Sequence, residues 1–559
     1  MKKNERREFL KKAALFGMLG SRGIKIFSGQ RSGLSSLPGK DAVKSKFLKN
    51  KTTMDVMSSF TSSGKEIRAG FGKNSLRSCI ISSTPFRKDL EVITAVIDTP
   101  ENRVVIVALD LLELSPEECA TYQKEISTRL NILENNILIH TTHTHSAPWD
   151  ERYQSTQYSA SRFTGVSEII SKTIARAIAS AEPVLIRYGE TNVGQSLSVY
   201  RRGYAGPNLG FQTFWFGYTY HPGDDRPDAS ALVNEMESRW ANKTPSYVSG
   251  NEPVWFDRPV DPLIQTVTFE TLKGKPIGTL VRFSAHPHLA SACTNKWYDP
   301  DFPGIVRETV EKQLGGICMF LLGTCANIVP KEKVEYRVVA EKSPRPPYLG
   351  PNWAFEPVKE EQLLEEMRRI GKAIADAALK GLGKNFPIAL QQVTYKTWRQ
   401  PVALDPCLPQ SMEELSRMQK PLVAEYMAFL RAGKPLASLQ LLANRLNWLE
   451  WAGKKSLGVL LETDRKRGEK EMPLSILCLN NIKLVFMHSE IPMETSLSLR
   501  ENFPGMPLIT VSMTGGSLEY IATDEMLDEG GYEGRSAIIA YGAEKEMRNA
   551  IMRELNHLT

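Results

Sequence analysis

Three histidines lie close together where a short apolar run of the chain ends. Apolar residues 137–139 lead directly into His140, and His143, His145 and Pro148 follow. Because side chains two residues apart in a strand point to the same face, His143 and His145 can present their rings together. Imidazoles at a strand end that faces a cleft can hold a metal ion. The alternative is that these histidines are ordinary polar loop residues.

A second histidine pair and a glutamate follow apolar segments in the same way. The predicted strand 276–284 ends at His286 and His288, and the predicted hairpin 475–487 ends just before Glu490. Strand ends converge on a common crevice in α/β sheets. Two imidazoles and one carboxylate form the ligand set of a hydrolytic zinc ion, which keeps one position open for water. The sequence therefore indicates a metal site built from distant segments, unlike a helical His-Glu-x-x-His motif.

The segments around these residues alternate between strand and helix patterns. Two β-branched runs, 92–98 and 104–110, flank a turn and predict a hairpin. Ser115 and Pro116 then carry the N-cap and first-position signals of a helix that extends to about Leu130. This alternation predicts an α/β fold with mixed sheets layered with helices and the metal site at strand ends. Helical periodicity later in the chain predicts packing helices over 360–379, 411–451 and 543–558.

The charge of the chain is concentrated near its N-terminus. The 559 residues have a formal net charge of +7, but residues 1–66 alone carry 15 Lys and Arg against 5 Asp and Glu. The remaining residues hold 55 against 58 and are therefore close to neutral. This distribution gives no indication of a nucleic-acid partner. A small molecule or a lipid is the expected substrate.

The basic N-terminus has the order of signals found in a twin-arginine export leader. Arg6 and Arg7 precede Phe9 and Leu10, and a mildly apolar stretch covers residues 13–20. We therefore predict an export signal over 1–30 and a flexible linker over 31–66, in a bacterial protein that is periplasmic or secreted. The alternative is a basic disordered tail. No apolar segment is long enough to cross a bilayer, and peripheral contact with a membrane is left open.

Residues 67–559 are predicted to form the hydrolase domain, which one segment of different composition interrupts. Residues 203–258 contain eleven aromatic residues, whereas aromatic residues make up 8% of the whole chain. The segment is also rich in Gly, Pro and Asn and has no clear periodicity. So long an irregular stretch is typical of a functional loop or lid. The alternative is a surface insertion that packs on its own aromatic side chains.

Several short motifs together resemble those of the neutral/alkaline non-lysosomal ceramidases. Residues 142–148, Thr-His-Thr-His-Ser-Ala-Pro, are similar to that family's Thr-His-Thr-His-Ser-Gly-Pro signature. Residues 285–287, Ala-His-Pro, resemble its second histidine motif. Residues 532–536, Tyr-Glu-Gly-Arg-Ser, resemble its Tyr-Glu-Gly-Ala-Ser motif. The motifs occur in the family's order, and the resemblance extends from about Arg68 to the end of the catalytic domain.

The resemblance implies a zinc hydrolase that cleaves an amide bond. By analogy with the family, it implies that zinc is held by His143, His286, Glu490 and Tyr520. It further implies that two residues line the pocket near the scissile carbonyl, namely His145 and Tyr532. Arg201, in Tyr200-Arg201-Arg202, resembles the family's Asn-Arg motif, which implies that it is a substrate-binding arginine.

The sequence departs from the family pattern at three places. Val329 stands where the family has its catalytic serine, and His488-Ser489-Glu490 replaces the family's Pro-Gly-Glu. The resemblance also leads us to expect that the family's C-terminal immunoglobulin-like domain is missing. Because valine cannot act as a nucleophile, we expect zinc-activated water to attack the substrate.

Three interpretations of the function remain open. The first is a hydrolase of an amide bond, such as that of an N-acyl lipid. The second is a zinc hydrolase of a non-lipid ester or glycoconjugate, and the third is an inactive relative that binds its ligand without turnover.

Overall fold

The computed structural model describes residues 55–558 except for residues 65–66, 149–162, 205–210, 214–218, 221–226, 229–257, 294–295, 335, 340–353, 358 and 435. The predicted export signal, most of the predicted linker and most of the aromatic-rich segment therefore lie outside the described residues. Residues 55–559 belong to one compact unit.

The strands are numbered in chain order. They are β1 Asp55–Ser63, β2 Arg68–Ser75, β3 Glu91–Asp98, β4 Arg103–Leu109, β5 Ile137–Thr141, β6 Glu182–Asn192, β7 Ser198–Tyr200, β8 Arg202–Tyr204, β9 Phe211–Thr213, β10 Thr219–Tyr220, β11 Pro227–Asp228, β12 Leu263–Thr271, β13 Pro276–Phe283, β14 Ile317–Leu322, β15 Ile328–Pro330, β16 Tyr336–Val339, β17 Ala354–Pro357, β18 Ile388–Ala389, β19 Gln392–Ala403, β20 Glu469–Leu479, β21 Ile482–Met487 and β22 Leu508–Val511.

The α-helices are numbered in the same way. They are α1 Pro116–Leu130, α2 Val166–Ala179, α3 Asp301–Leu314, α4 Glu360–Leu382, α5 Met412–Arg431, α6 Leu436–Trp448, α7 Lys454–Val459, α8 Glu462–Arg467, α9 Met493–Asn502, α10 Asp524–Glu529, α11 Gly531–Ser536 and α12 Ala543–His557. A π-helical turn, Leu449–Gly453, joins α6 to α7. Helix α1 begins as its sequence predicts, because Ser115 and Glu118 form a reciprocal capping box.

Two mixed sheets form the centre of the molecule. The larger one has the strand order β14-β13-β12-β6-β2-β3-β4-β5, with β18 paired to β6, and the smaller one has the order β1-β19-β20-β21-β22. Most neighbouring strands are antiparallel, but the pairs β4–β5, β13–β14 and β21–β22 are parallel. Parallel strands end at the same edge of a sheet, so these three pairs can deliver polar residues to a common place.

The alternation of side chains along the larger sheet explains how it is buried on both faces. On β3, Val92 and Val96 pack with α1 and α2, whereas Ile93 and Ile97 pack in the cluster shared with the smaller sheet. The same alternation continues along β4 and β5. Helices α3 and α4 cover the β13–β14 end of the sheet. A strand buried on both faces reads as a continuous apolar run, as these strands do.

Backbone hydrogen bonds join the ends of the two sheets. Thr141 N donates to Met513 O at 3.1 Å, and Ser512 N donates to Leu322 O at 2.9 Å. His140 is part of this joint: its Nδ1 bonds to Ser512 O at 2.9 Å, and its Nε2 accepts from Leu322 N at 3.2 Å. Both ring nitrogens of His140 are therefore used structurally, which removes it from the candidate ligands.

The predicted fold class is confirmed: the described residues form a mixed α/β structure with helices layered on mixed sheets. Regular structure begins earlier than Ile67, since Asp55–Ser63 form β1 at the edge of the smaller sheet. Its Ser- and Thr-rich sequence suits a strand paired on one side, and such a strand lacks the apolar alternation by which strands are recognised. Among the described helices, none is long and apolar enough to cross a membrane.

Candidate metal centre

Two strand-end loops bring three histidines together. His143 and His145 follow β5, and His286 follows β13. One ring nitrogen from each of the three lies within 4.8 Å of the others. His145 N donates to Pro287 O at 2.9 Å, which holds the two loops against each other. The predicted meeting of these histidines at strand ends is therefore observed, and their nitrogens could hold a metal ion.

Backbone carbonyls orient two of these rings. His143 Nδ1 bonds to Leu112 O at 2.7 Å, and His286 Nδ1 bonds to Ile328 O at 3.1 Å. A ring that donates through Nδ1–H keeps an unprotonated Nε2, which is the tautomer that binds a metal. His143 Nε2 is buried and has no hydrogen-bond partner among the described residues. Both rings thus direct a lone pair toward the same place.

Glu490 supplies the carboxylate at this place. Its Oε2 lies 3.0 Å from His286 Nε2 and 3.6 Å from His143 Nε2. Burial raises the pKa of Glu490, but the two histidines outweigh burial and hold the pKa well below its ordinary value. Burial and the nearby Arg201 lower the pKa of His286 to about 4. An ionised carboxylate next to a neutral imidazole is the donor set that a divalent ion requires.

His143 behaves differently from His286. Burial lowers the pKa of His143, but the Glu490 carboxylate outweighs burial and raises the pKa above its ordinary value. The negative charge of Glu490, which raises this pKa, would also attract a metal cation to the place between the two side chains. The donor atoms fit a zinc ion in chemical type: two imidazoles and one carboxylate, all buried.

Tyr520 lies beside Glu490 through a parallel bridge of the two backbones. Glu490 N donates to Glu519 O at 2.8 Å, and Ile521 N donates to Glu490 O at 3.0 Å. Burial, and then the charge of Glu490, raise the pKa of Tyr520 well above its ordinary value. The phenol therefore stays neutral unless a cation is bound nearby.

The side chain of Arg201 contacts several residues around the candidate metal centre. Its Nη2 donates to Tyr520 OH at 3.0 Å, its Nη1 lies 3.4 Å from His286 Nε2, and its Nε donates to Glu533 Oε1 at 2.7 Å. The guanidinium is fully buried. Arg201 thus contacts two proposed ligands directly, in addition to the substrate-binding role that the resemblance implies.

His145 and Tyr532 lie at the margin of the same cluster. The His145 ring is centred 5.0 Å from that of His143 and 5.7 Å from that of His286. Burial and the neighbouring histidines lower the pKa of His145 well below its ordinary value. The Tyr532 ring packs edge-on against Tyr520 at 5.6 Å, and burial raises its pKa to about 12. A neutral imidazole and a neutral phenol can accept and donate protons, respectively.

Three residues around the centre adopt left-handed backbone conformations: φ is 63° at His143, 63° at Ser489 and 62° at Glu519. Such positions cost on the order of 1–3 kcal/mol and concentrate at functional sites. The family resemblance would place a glycine at the position of Ser489. The Ser489 hydroxyl accepts from Leu518 N at 2.8 Å, a bond that a glycine could not form.

The sequence did not identify several residues that contribute to the centre. Glu533, which pairs with Arg201, adjoins Tyr532 in a motif already noted, so a signal for it existed. Trp451 and Lys455 come from the helical region predicted only as packing. The ring of Trp451 lies 6.2 Å from that of Tyr532, and Lys455 forms an ion pair with Glu519. No sequence signal distinguished these two residues from other helix positions.

Solved structures with the same architecture exist. The neutral ceramidase from Pseudomonas aeruginosa superposes with a TM-score of 0.54 at 15% sequence identity, over 87% of this chain and 73% of that chain. A ceramidase complexed with C2 gives a TM-score of 0.55 at 15% identity, over 87% and 74% of the two chains. The chain shares the fold of these ceramidases. No protein-family model and no curated protein sequence matches it.

Val329 stands where the family resemblance led us to expect a catalytic serine. It lies in β15, pairs with Val199 of β7 and is completely buried. Its side chain carries neither a nucleophilic atom nor a hydrogen-bonding group. The position therefore cannot form an acyl-enzyme.

Proposed function

We propose that this protein is an exported zinc-dependent hydrolase that cleaves an amide bond, with N-acyl lipids as its substrate class. One observation carries the proposal: His143 and His286 are anchored through Nδ1 and direct Nε2 toward the ionised carboxylate of Glu490. The ceramidase fold supports a hydrolase. The basic leader supports export.

The proposed zinc ligands are His143, His286, Glu490 and Tyr520. Zinc bound there would supply a Lewis acid and activate water at neutral pH. His145 remains neutral because of its burial and its neighbours, so it can take a proton from the attacking water. Tyr532 is protonated at neutral pH and can donate a hydrogen bond to the oxyanion that develops on the substrate. Arg201 holds Tyr520 and His286 in position and adds positive charge.

Metal analysis of the protein purified without chelator tests the ligand assignment. We expect one zinc per chain, and we expect His143→Ala and His286→Ala to lose it. His557→Ala is the matched control, because that histidine is on α12 with 72% of its side chain exposed. A wild-type protein without any divalent metal would refute the proposal.

The role of His145 requires a separate variant, because its ring nitrogen belongs to the same three-histidine group. We expect His145→Ala to retain one zinc and to lose activity by about 10²–10⁴-fold, the usual contribution of a general base. The rate is measured with an N-acyl amide reporter and a matched ester. Loss of the zinc in this variant would instead assign His145 as a ligand.

A binding protein without turnover is the second candidate, and Val329 is the observation that favours it. Reporter hydrolysis separates the two functions, since a binding protein would hold zinc and ligand but release no product. Faster cleavage of the ester or of a glycoconjugate than of the N-acyl amide would favour a non-lipid substrate.

A further inference from the structure

One helical run contacts the whole segment that carries the two site tyrosines. Along α6, the π-helical turn and α7, four residues occur at intervals of four, three and four: Asn444, Trp448, Trp451 and Lys455. Each of the four contacts the segment 519–537, which contains Tyr520 and Tyr532. A π-helical turn within an α-helix frequently marks a functional site.

The four contacts reach four different places in the segment 519–537. The side chain of Asn444 lies against Gly530, and Trp448 Nε1 donates to Ala537 O at 3.1 Å. The ring of Trp451 packs edge-on against that of Tyr532. The last contact is the ion pair between Lys455 and Glu519.

Glu519 connects two of the proposed ligands through its backbone. Its carbonyl accepts the hydrogen bond from Glu490 N, and its own peptide continues directly into Tyr520. Its φ of 62° is unfavourable for any residue other than glycine, so this conformation requires support from outside. Glu519 N donates to Ser517 Oγ at 2.9 Å, which fixes one side of the residue. The ion pair with Lys455 fixes its side chain.

The surroundings make this ion pair effective. The side chains of Lys455 and Glu519 are only 14% and 12% exposed, so water screens their attraction weakly. Burial lowers the pKa of the Lys455 ammonium to about 8, and the carboxylates of Glu113 and Glu490 oppose this shift. Removing the ammonium would leave the largely buried Glu519 carboxylate with an uncompensated charge.

We propose that Lys455 is a positioning residue for the metal centre: through Glu519 it holds the backbone that presents Glu490 and Tyr520. This inference rests on the proposed zinc function. It assigns the helical region 436–459 a role in metal affinity in addition to packing.

The test is the dissociation constant for zinc, measured by competition with a chromogenic chelator. We expect Lys455→Met to weaken zinc binding about 10–100-fold, the usual effect of losing a residue that supports a ligand. Lys454→Met is the matched control: the neighbouring lysine is 43% exposed and pairs with Glu450 within the helix, so its loss should leave zinc affinity unchanged. Visible absorption of the cobalt-substituted protein should change in Lys455→Met and remain unchanged in the control.

Two further variants separate the ion pair from general packing. Lys455→Arg keeps the positive charge and should therefore bind zinc with most of the wild-type affinity. If the packing of the lysine side chain mattered and its charge did not, this variant would bind zinc as weakly as Lys455→Met. Glu519→Gln removes the same ion pair from the other side with little change of shape, and it carries the test if Lys455→Met does not fold. Zinc affinity within twofold of wild type in either folded variant overturns the inference. A wild-type protein that binds no zinc overturns the proposed function as well.

Discussion

Arg201 Nε donates to Glu533 Oε1 at 2.7 Å, and both side chains are completely buried. The same carboxylate accepts from Thr213 Oγ1 at 2.7 Å through its other oxygen. Arg202 Nε lies 3.5 Å from that second oxygen. Burial raises the pKa of Glu533, but the two arginines outweigh burial and lower the pKa below its ordinary value. Glu533 is thus an ionised group that balances the charge of the two arginines beside the candidate metal centre.

Breaking this pair from either side should destabilise the protein strongly. Removing one partner of a buried ion pair leaves an uncompensated charge, which typically costs about 3–5 kcal/mol. We expect losses of that size for Arg201→Met and Glu533→Gln in urea unfolding at neutral pH. The double variant should lose less than the sum of the two, because it leaves neither charge alone. Additive losses would show that the two side chains act independently.

The second prediction concerns the nucleophile. If water attacks the substrate, Val329→Ser should change kcat/KM for an N-acyl amide by less than about tenfold, because the serine adds no group that the reaction needs. Val199→Ser introduces the same hydroxyl at the paired position of β7 and controls for its burial. A large gain in ceramide hydrolysis in Val329→Ser alone would show that the wild type has drifted from serine chemistry. A covalent acyl adduct trapped on the wild type would refute the water mechanism.

The aromatic-rich segment is predicted to cover the pocket and to determine substrate choice. Its described ends are anchored near the site: Thr213 bonds to Glu533 and to Tyr532 N, and Arg258 forms ion pairs with Glu525 and Glu529. Replacing residues 214–257 by a Gly-Ser linker keeps both anchors. We expect KM to rise at least tenfold while zinc content stays at one per chain. An unchanged KM would reduce the segment to a surface insertion.

Glu332 should make stability depend on pH. It is buried, neither carboxylate oxygen has a hydrogen-bond partner among the described residues, and burial raises its pKa from 4.5 to about 8. The charge of Glu366 contributes to this raised pKa, whereas the backbone of Glu332 itself and the charge of Arg369 oppose the shift. The folded state holds this proton more tightly than the unfolded state, so protonation of Glu332 stabilises the fold. This stabilisation is complete below pH 4.5 and is lost as the pH rises toward 8.

The side chain introduced by Glu332→Gln cannot ionise. The free energy of unfolding of this variant should therefore increase relative to that of the wild type when the pH is raised from 5.5 to 8. Urea midpoints at the two pH values measure this difference. Glu361→Gln, an exposed position on α4, should show the same difference from wild type at both pH values. A pH-independent effect of Glu332→Gln would mean that the carboxyl group is not held protonated in the folded protein.

The parts of the structure that sequence could predict are those with a local cause. The hairpin β3–β4 and the capped helix α1 follow from periodicity and capping, and both occur where expected. Histidines at the ends of β5 and β13 were also predictable, because a polar residue after an apolar strand is visible in one window of sequence. The residue types alone could suggest zinc.

The remaining features depend on contacts between distant segments. Lys455 resembles any other helical lysine in sequence, and only the packing of α7 beside Glu519 gives it a role. The region 411–451, predicted to be helical, divides into α5, α6 and a π-helical turn, and no proline or glycine marks the π-helical turn's start at Leu449. The strand β1 was missed because its Ser- and Thr-rich sequence shows little apolar alternation. The export signal, the linker boundary and the roles of the site residues stay predictions.

The four proposed ligands come from four separate segments, from His143 to Tyr520, and this spread has a consequence for folding kinetics. Apart from Glu490 and Tyr520, the ligands pair residues from distant parts of the sequence, so the centre can exist only after both sheets have joined. A zinc ion would then bind the completed fold and no earlier intermediate. At a free concentration a thousand times its dissociation constant, such an ion would add about 4.1 kcal/mol to the free energy of unfolding. That gain would slow unfolding and leave the folding rate unchanged. The ion would therefore increase the kinetic stability of the folded protein.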